Sequence, residues 1–293
     1  MTQRSATLIG LTAILMWSLL AVLTVASGRI PPFQLAAVTF TIGACVGALS
    51  WLMRPDGRHA WRQPVQAWLV GVGGLFGYHA LYFIALRFAP PAEAGLLNYL
   101  WPLLIVLFSA LLPGERLAVH HVVGALLGLV GTVVLFAGGG PSQATANYVP
   151  GLCAAFAAAF VWAGYSVLSR RLAAVPTDAV AGFCAVTALL AAVCHALFER
   201  TVWPQTAGQW AAVLLLGIFP VGAAFYAWDI GMKRGDIRVI GAAAYATPLL
   251  STGFLILAGF AAATVSIVLA AILIAAGGLL AAKDMFVKPA RSA

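Results

Sequence analysis

The side chains of this chain that could do chemistry inside a protein are few, and they cluster. His79 stands in Gly77-Tyr78-His79-Ala80-Leu81-Tyr82, where Tyr78 and Tyr82 are four residues apart and share a helical face. Asn98-Tyr99-Leu100-Trp101-Pro102 follows, and its counterpart later in the chain is Ala244-Tyr245-Ala246-Thr247-Pro248. Trp17 and Trp162 complete the set. The rings offer stacking surface, and the imidazole and carboxamide offer directional hydrogen bonds. A histidine satisfied by a neighbouring helix carbonyl accounts for His79 equally well. Gly164-Tyr165-Ser166 with His79 or His195 matches a serine hydrolase only at chance level. No enzymatic activity, metal site or cofactor is expected.

What must position these residues follows from composition. The chain of 293 residues is 63% hydrophobic and only 8% charged, with mean hydropathy +1.01, whereas soluble domains carry roughly 25% charged residues. Lipid is its solvent, and spans of about 20 apolar residues are the unit to seek. Ten such stretches are predicted near 6–26, 32–53, 65–87, 91–112, 118–138, 148–171, 176–198, 208–231, 236–258 and 264–282. The connections are short and rich in breakers, as in Arg29-Ile30-Pro31-Pro32 and Arg54-Pro55-Asp56-Gly57. The first span has some marks of a cleaved leader, but its apolar run is long, and it is expected to be kept. With the N-terminus inside, all of the 16 basic residues except Arg29, Arg87 and Arg200 fall on the cytoplasmic side. Both termini are therefore expected in the cytoplasm. The net charge of +8 reads as a topology signal, and nucleic acid is not an expected partner.

The chain also repeats itself. Residues 71–138 fall on 217–284 without a gap, so that Arg87 meets Lys233, Tyr99 meets Tyr245 and Pro102 meets Pro248. Five spans per half is an odd number, so the second half is expected upside down in the bilayer. The predicted fold is an all-α integral membrane protein of ten transmembrane helices in two inverted five-helix repeats, 1–140 and 148–284. Such transporters place their substrate near the midplane, between the repeats, where helices are interrupted. Spans four and nine, carrying Pro102 and Pro248, are thus expected to line a pathway, with spans three and eight beside them through Tyr82 and Trp228. Backbone carbonyls freed near the two prolines are candidate acceptors for an ammonium group.

The remaining polar residues read as structural. Asp229 and Lys233 are four apart and are expected to pair at the interface. His195, Glu93 and Glu115-Arg116 read as interfacial or loop groups. Trp51, Trp61, Trp68, Trp203 and Trp210 belong to interfacial belts. Gly43 and Gly47, and the glycines of spans five and ten, suit close helix packing. Cys45, Cys153, Cys184 and Cys194 show no metal-like spacing.

Together, the ten-span length, the inverted halves, Trp17 with Trp162, Pro102 with Pro248, and Leu112-Pro113-Gly114-Glu115-Arg116 resemble the drug/metabolite transporter superfamily, in its EamA-type pattern. The second half has Ala261-Ala262 where the first has Glu115-Arg116, so the charged motif is not duplicated. The resemblance, which is nearest to members that export aromatic amino acids, implies a multi-pass protein of the bacterial inner membrane. It would move aromatic and other neutral hydrophobic amino acids out of the cytoplasm by alternating access. The expected substrate site comprises Trp17, Tyr78, His79, Tyr82, Asn98, Tyr99, Trp101, Pro102, Trp162, Tyr245 and Pro248. With no carboxylate deep in any span, transport is expected to be facilitative and the protein to work as a monomer. The alternative is an exporter of amphipathic drugs or other small metabolites, with proton coupling through His79.

Overall fold

Hydrocarbon offers the backbone no hydrogen-bond partner, so a chain this apolar must satisfy its amides within each segment, as helices do. The computed structural model describes residues 1–52, 60–89, 91–114, 117–137, 148–259, 263–281 and 283, and every regular element among them is helical. Glu115, Arg116, Ala261, Ala262, the linker 138–147 and several of the basic residues (Arg54, Arg58, Lys288, Arg291) lie outside the described residues, as do the side chains of Trp51 and Glu93.

The first half contributes α1 (Gln3–Ser18), α2 (Leu20–Ala26), α3 (Pro32–Leu52), α4 (Val65–Val72), α5 (Tyr78–Phe88), α6 (Pro91–Asn98), α7 (Trp101–Ser109) and α8 (Val119–Ala137). The second contributes α9 (Val149–Arg171), α10 (Ala179–Phe198), α11 (Ala207–Ile218), α12 (Ala224–Arg234), α13 (Ile237–Ala243), α14 (Ala246–Leu257) and α15 (Val265–Ala281). Among the described residues, seven helical stretches are long and apolar enough to cross a membrane: Gln3–Ala26, Pro32–Leu49, Val65–Phe88, Val149–Arg171, Ala179–Phe198, Ala207–Arg234 and Ile237–Leu257. Three shorter apolar helices, Ala94–Ser109, Val119–Val134 and Val265–Ala281, coincide with the other three predicted stretches.

The interruptions repeat as faithfully as the helices. A π-helical turn at Gly73–Gly77 joins α4 to α5, and another at Phe219–Ala223 joins α11 to α12, again 146 positions on. Helix α6 stops before Tyr99-Leu100 and α13 stops before Ala244-Tyr245. The breaks are thus where the sequence placed them, but the prolines act differently from the expectation. Pro102 is the second residue of α7 and Pro248 the third of α14, positions where a missing N–H costs a helix least. The carbonyl of Ala244, four residues before Pro248, accepts the Thr247 N–H at 3.0 Å and is not free.

Small residues decide which faces meet. Helix α9 buries Ala154, Ala155, Ala158, Ala159 and Ala163 and turns Phe156 and Phe160 outward. That stripe lets α5 and α7 approach closely. Helix α1 runs along α12, α3 along α10, and α8 along α15. At the last of these, a methyl on Gly124 would fall 2.6 Å from the Gly277 carbonyl oxygen, and one on Gly131 would fall 3.1 Å from that of Ala270. Large apolar side chains such as Leu69, Leu189, Leu197 and Ile272 cover the outside. Trp61 stacks on Trp68, and Trp203 on Trp210; Trp61, Trp203 and Trp210 are exposed, as belt residues are.

Candidate substrate cavity

The second π turn and the helix breaks border one half-enclosed space. Its walls come from α1 and α2, the Phe219–Ala223 turn, α5, α12, both sides of the Tyr99-Leu100 break, α9 and the start of α14. A regular α-helix aims its side chains in a continuous spiral. Breaking it allows neighbouring residues such as Asn98, Tyr99 and Trp101 to reach the same volume. The cavity holds about 140 Å³.

Four indoles crowd together, with Trp17, Trp101 and Trp162 on the cavity wall and Trp228 buried behind them. Trp17 meets Trp162 and Trp101 edge-on, with centroids 5.5 Å and 6.4 Å apart, and Trp228 at a tilt, 4.9 Å away. Edge-to-face arrangements of this kind fix ring positions beyond what apolar burial alone does. Polar bonds hold two of the four. Trp17 Nε1 donates to the Pro220 carbonyl at 2.9 Å, in the π turn, and Trp228 Nε1 donates to Ser166 Oγ at 3.1 Å. On another wall Tyr78 and Tyr82 stack 5.9 Å apart, and Asn98 Nδ2 donates to Tyr78 Oη at 3.0 Å. The His79 ring stands edge-on to Phe40 and Tyr78. Its Nδ1 lies 2.7 Å from the Leu75 carbonyl. A carbonyl only accepts, so Nδ1 carries the proton, and in the neutral ring Nε2 is left as an acceptor.

Of the residues expected from sequence, Trp17, Tyr78, His79, Tyr82, Asn98, Tyr99, Trp101 and Trp162 line this one cavity. Three do not. Pro102 and Pro248 start helices behind it. Tyr245 is fully buried on the far side, with its ring against Gly128. Its twin Tyr99 lies on the cavity instead, and the position equivalent to Gly128 is Ile274. Leu20, Pro220, Val221, Phe225 and Thr247 also line the cavity and were not expected. Phe225 and Thr247 are the repeat partners of His79 and Trp101, so the internal symmetry already pointed to them.

No Asp, Glu, Lys or Arg is among the lining residues. Elsewhere, Asp229 and Lys233 neutralise one another. Lys233 Nζ sits 2.8 Å from Asp229 Oδ1, and the two residues are 8% and 2% exposed. Thr177 Oγ1 donates to Asp229, and Lys233 donates to the Val175 carbonyl. The expected pair therefore forms, deeply buried. Beside it Arg170, at the end of α9, donates to the carbonyls of Met232 and Gly235. His195 lies at the end of α10, bonded to Glu199 and Thr201 and away from the cavity.

A tight aromatic chamber, without charge, at paired helix interruptions is suited to hold a flat ligand and to let it go. The EamA-like transporter family model matches residues 4–137 and again 149–282. The chain belongs to the EamA-like transporter family. The double match falls on the two halves that the sequence repeat defines. Among relatives of known name, a protein of Ancylobacter novellus called the aromatic amino acid exporter YddG is 58% identical over 96% of this chain and 98% of its own length. A Salmonella typhimurium protein of the same name is 27% identical over 86% of this chain and 88% of its own. The pseudopaline exporter CntI of Pseudomonas aeruginosa is 32% identical over 66% of each chain. A crystal structure at 58% identity superposes with a TM-score of 0.91, covering 96% of this chain and 97% of that one. The EamA-like chain is thus a multi-pass membrane transporter and not an enzyme.

Proposed function

We propose that this transporter exports aromatic and other neutral hydrophobic amino acids across the bacterial inner membrane, through the cavity between its two halves. The observation that carries the reading is the cavity itself: stacked and edge-on aromatic rings, a few neutral hydrogen-bonding groups and no formal charge. An aromatic side chain replaces ring-to-ring contacts there, while a zwitterion has no net charge for fixed ions to balance. The 58% identity to a relative named for aromatic amino acid export supports the same substrate class.

Ten helices cross the membrane in this reading, in halves 1–140 and 148–284, with both termini cytoplasmic. Gly124 faces Gly277 and Gly131 faces Ala270, which are reciprocal pairs under the repeat. Such reciprocity supports a two-fold axis between antiparallel α8 and α15. An axis of that kind is perpendicular to both helices and so lies in the membrane plane, which inverts one half relative to the other. Alternating access follows if each half, in turn, closes its own side of the cavity. The substrate-contacting residues are Trp17, Tyr78, His79, Tyr82, Asn98, Tyr99, Trp101 and Trp162, and one copy of the chain suffices.

Transport is facilitative. A proton antiporter uses a carboxylate or a histidine relay in the pathway, and here His79 stands alone, committed through Nδ1 to Leu75. The test is efflux of radiolabelled neutral amino acids from proteoliposomes, with and without a pH gradient. Phenylalanine, tyrosine and tryptophan should leave down their gradients at rates that a pH gradient does not raise. Flux no faster than from empty vesicles contradicts the substrate class. A pH-driven uphill flux abolished by His79→Ala contradicts the facilitative mode.

A further inference from the structure

Two polar atoms on the cavity have no hydrogen-bond partner, and they come from opposite halves. Asn98 ends α6 and is 3% exposed; Thr247 is the second residue of α14 and is 8% exposed. Both line the cavity, and both Asn98 Oδ1 and Thr247 Oγ1 are buried without a partner. Each orphan has a local cause. The Asn98 amide is oriented by donation from Nδ2 to Tyr78 Oη, which leaves Oδ1 on the other side. Thr7, Thr39, Thr132 and Thr252 return their hydroxyls to the carbonyl four residues back. Thr247 follows immediately on the break at Ala244-Tyr245, where no regular turn offers that carbonyl.

We propose that Asn98 Oδ1 and Thr247 Oγ1 are the acceptor pair for the ammonium group of the substrate, and so impose the requirement for an α-amino group. The proposal rests on the amino acid export reading above and deepens it. A carboxamide oxygen can only accept, so the ligand group facing Asn98 must be a donor. That excludes a carboxylate and selects an ammonium, which brings three N–H groups. The Ala244 carbonyl, the backbone alternative, already accepts one N–H, from Thr247, whereas the two side-chain oxygens accept none. The repeat partners of these residues are Ala244 and Trp101, neither with an acceptor side chain, so symmetry does not produce a second such pair.

The experiment compares the two halves of the zwitterion as competitors of phenylalanine flux in proteoliposomes. Phenethylamine carries the ammonium alone, and 3-phenylpropionate carries the carboxylate alone. Wild-type protein should be inhibited more strongly by phenethylamine. Thr247→Val keeps the branched shape and removes the hydroxyl; it should raise KM for phenylalanine and the inhibition constant of phenethylamine by about ten-fold each. Thr247→Ser, which restores the hydroxyl, should recover most of the loss seen in Thr247→Val. Unchanged constants in Thr247→Val, or a loss confined to 3-phenylpropionate, overturns the assignment while leaving the export reading intact if wild-type flux persists. Calorimetric titration of the solubilised protein with phenethylamine gives the same comparison without transport: a ten-fold weaker affinity in Thr247→Val is expected, and an equal affinity overturns the proposal even where no flux is seen.

Discussion

Asp229 and Lys233 tolerate their burial only as a pair. The 2.8 Å ion pair, with Thr177 and the Val175 carbonyl completing its hydrogen bonds, offsets a desolvation penalty that either group alone could not meet. Lys233→Ala is therefore expected to destabilise the protein by about 3–5 kcal/mol, read as reversible unfolding in detergent. Replacing both, with Asp229→Leu and Lys233→Met, should cost less than Lys233→Ala alone. A double variant worse than the single one would show that the pair is not the source of the stability. The i,i+4 spacing made the pairing legible in the sequence, but not its depth, which depends on α9 and α10 covering it. His79 teaches the reverse. Sequence left a structural and a ligand-facing account side by side; the ring bonds through Nδ1 to Leu75 and turns its body to the cavity.

At the scale of elements, the fold is controlled by where helices stop. Among the described residues, seven of the ten predicted apolar stretches are helices long enough to cross a membrane, and the other three hold shorter apolar helices. Runs of Leu, Ala and Val bounded by Pro and Gly leave lipid little else to allow. The π turns were not legible: no residue type demands one, and Pro220 marks only the second. Their consequence is concrete, since the Pro220 carbonyl receives the Trp17 indole. Glycine spacing announced close approach but not what fills it, since Gly128 takes the ring of Tyr245. Gly128→Leu should overpack that slot and cost about 1–3 kcal/mol, measured by thermal unfolding, whereas Gly253→Ala meets no atom within 4 Å and should not. Asp236, in the connection before α13, caps that helix by accepting from the Arg238 and Val239 N–H groups. Burial pushes its carboxyl up, but Arg238 and the two N–H groups outweigh this and hold it below the usual carboxylate range. A depressed carboxylate contributes stability above its unfolded value of about 4 and loses it as pH falls. Asp236→Ala should then cost about 1 kcal/mol at neutral pH, with the difference from wild type shrinking below about pH 4.

At the scale of the molecule, duplication supplies the frame and its imperfections supply the chemistry. The halves share the π turns, the breaks and the tyrosines at 99 and 245; they differ at His79 against Phe225, Asn98 against Ala244 and Trp101 against Thr247. The proposed inversion predicts opposite faces for equivalent ends. Both Arg87 and Arg234 are exposed, at the ends of α5 and α12. In a background lacking the four native cysteines, an impermeant maleimide added to intact cells should label Arg87→Cys and leave Arg234→Cys unlabelled until the cells are opened. Labelling of both from outside contradicts the inversion. The central claim, that the uncharged aromatic cavity is the route for aromatic amino acids, is tested most directly by phenylalanine efflux from proteoliposomes holding wild-type protein or Trp162→Ala. Trp162 touches Trp17, Tyr78 and Trp101 at once, so its loss should reduce efflux at least ten-fold in protein that still folds by circular dichroism. Wild-type efflux at the level of empty vesicles, or undiminished efflux in Trp162→Ala, would contradict it.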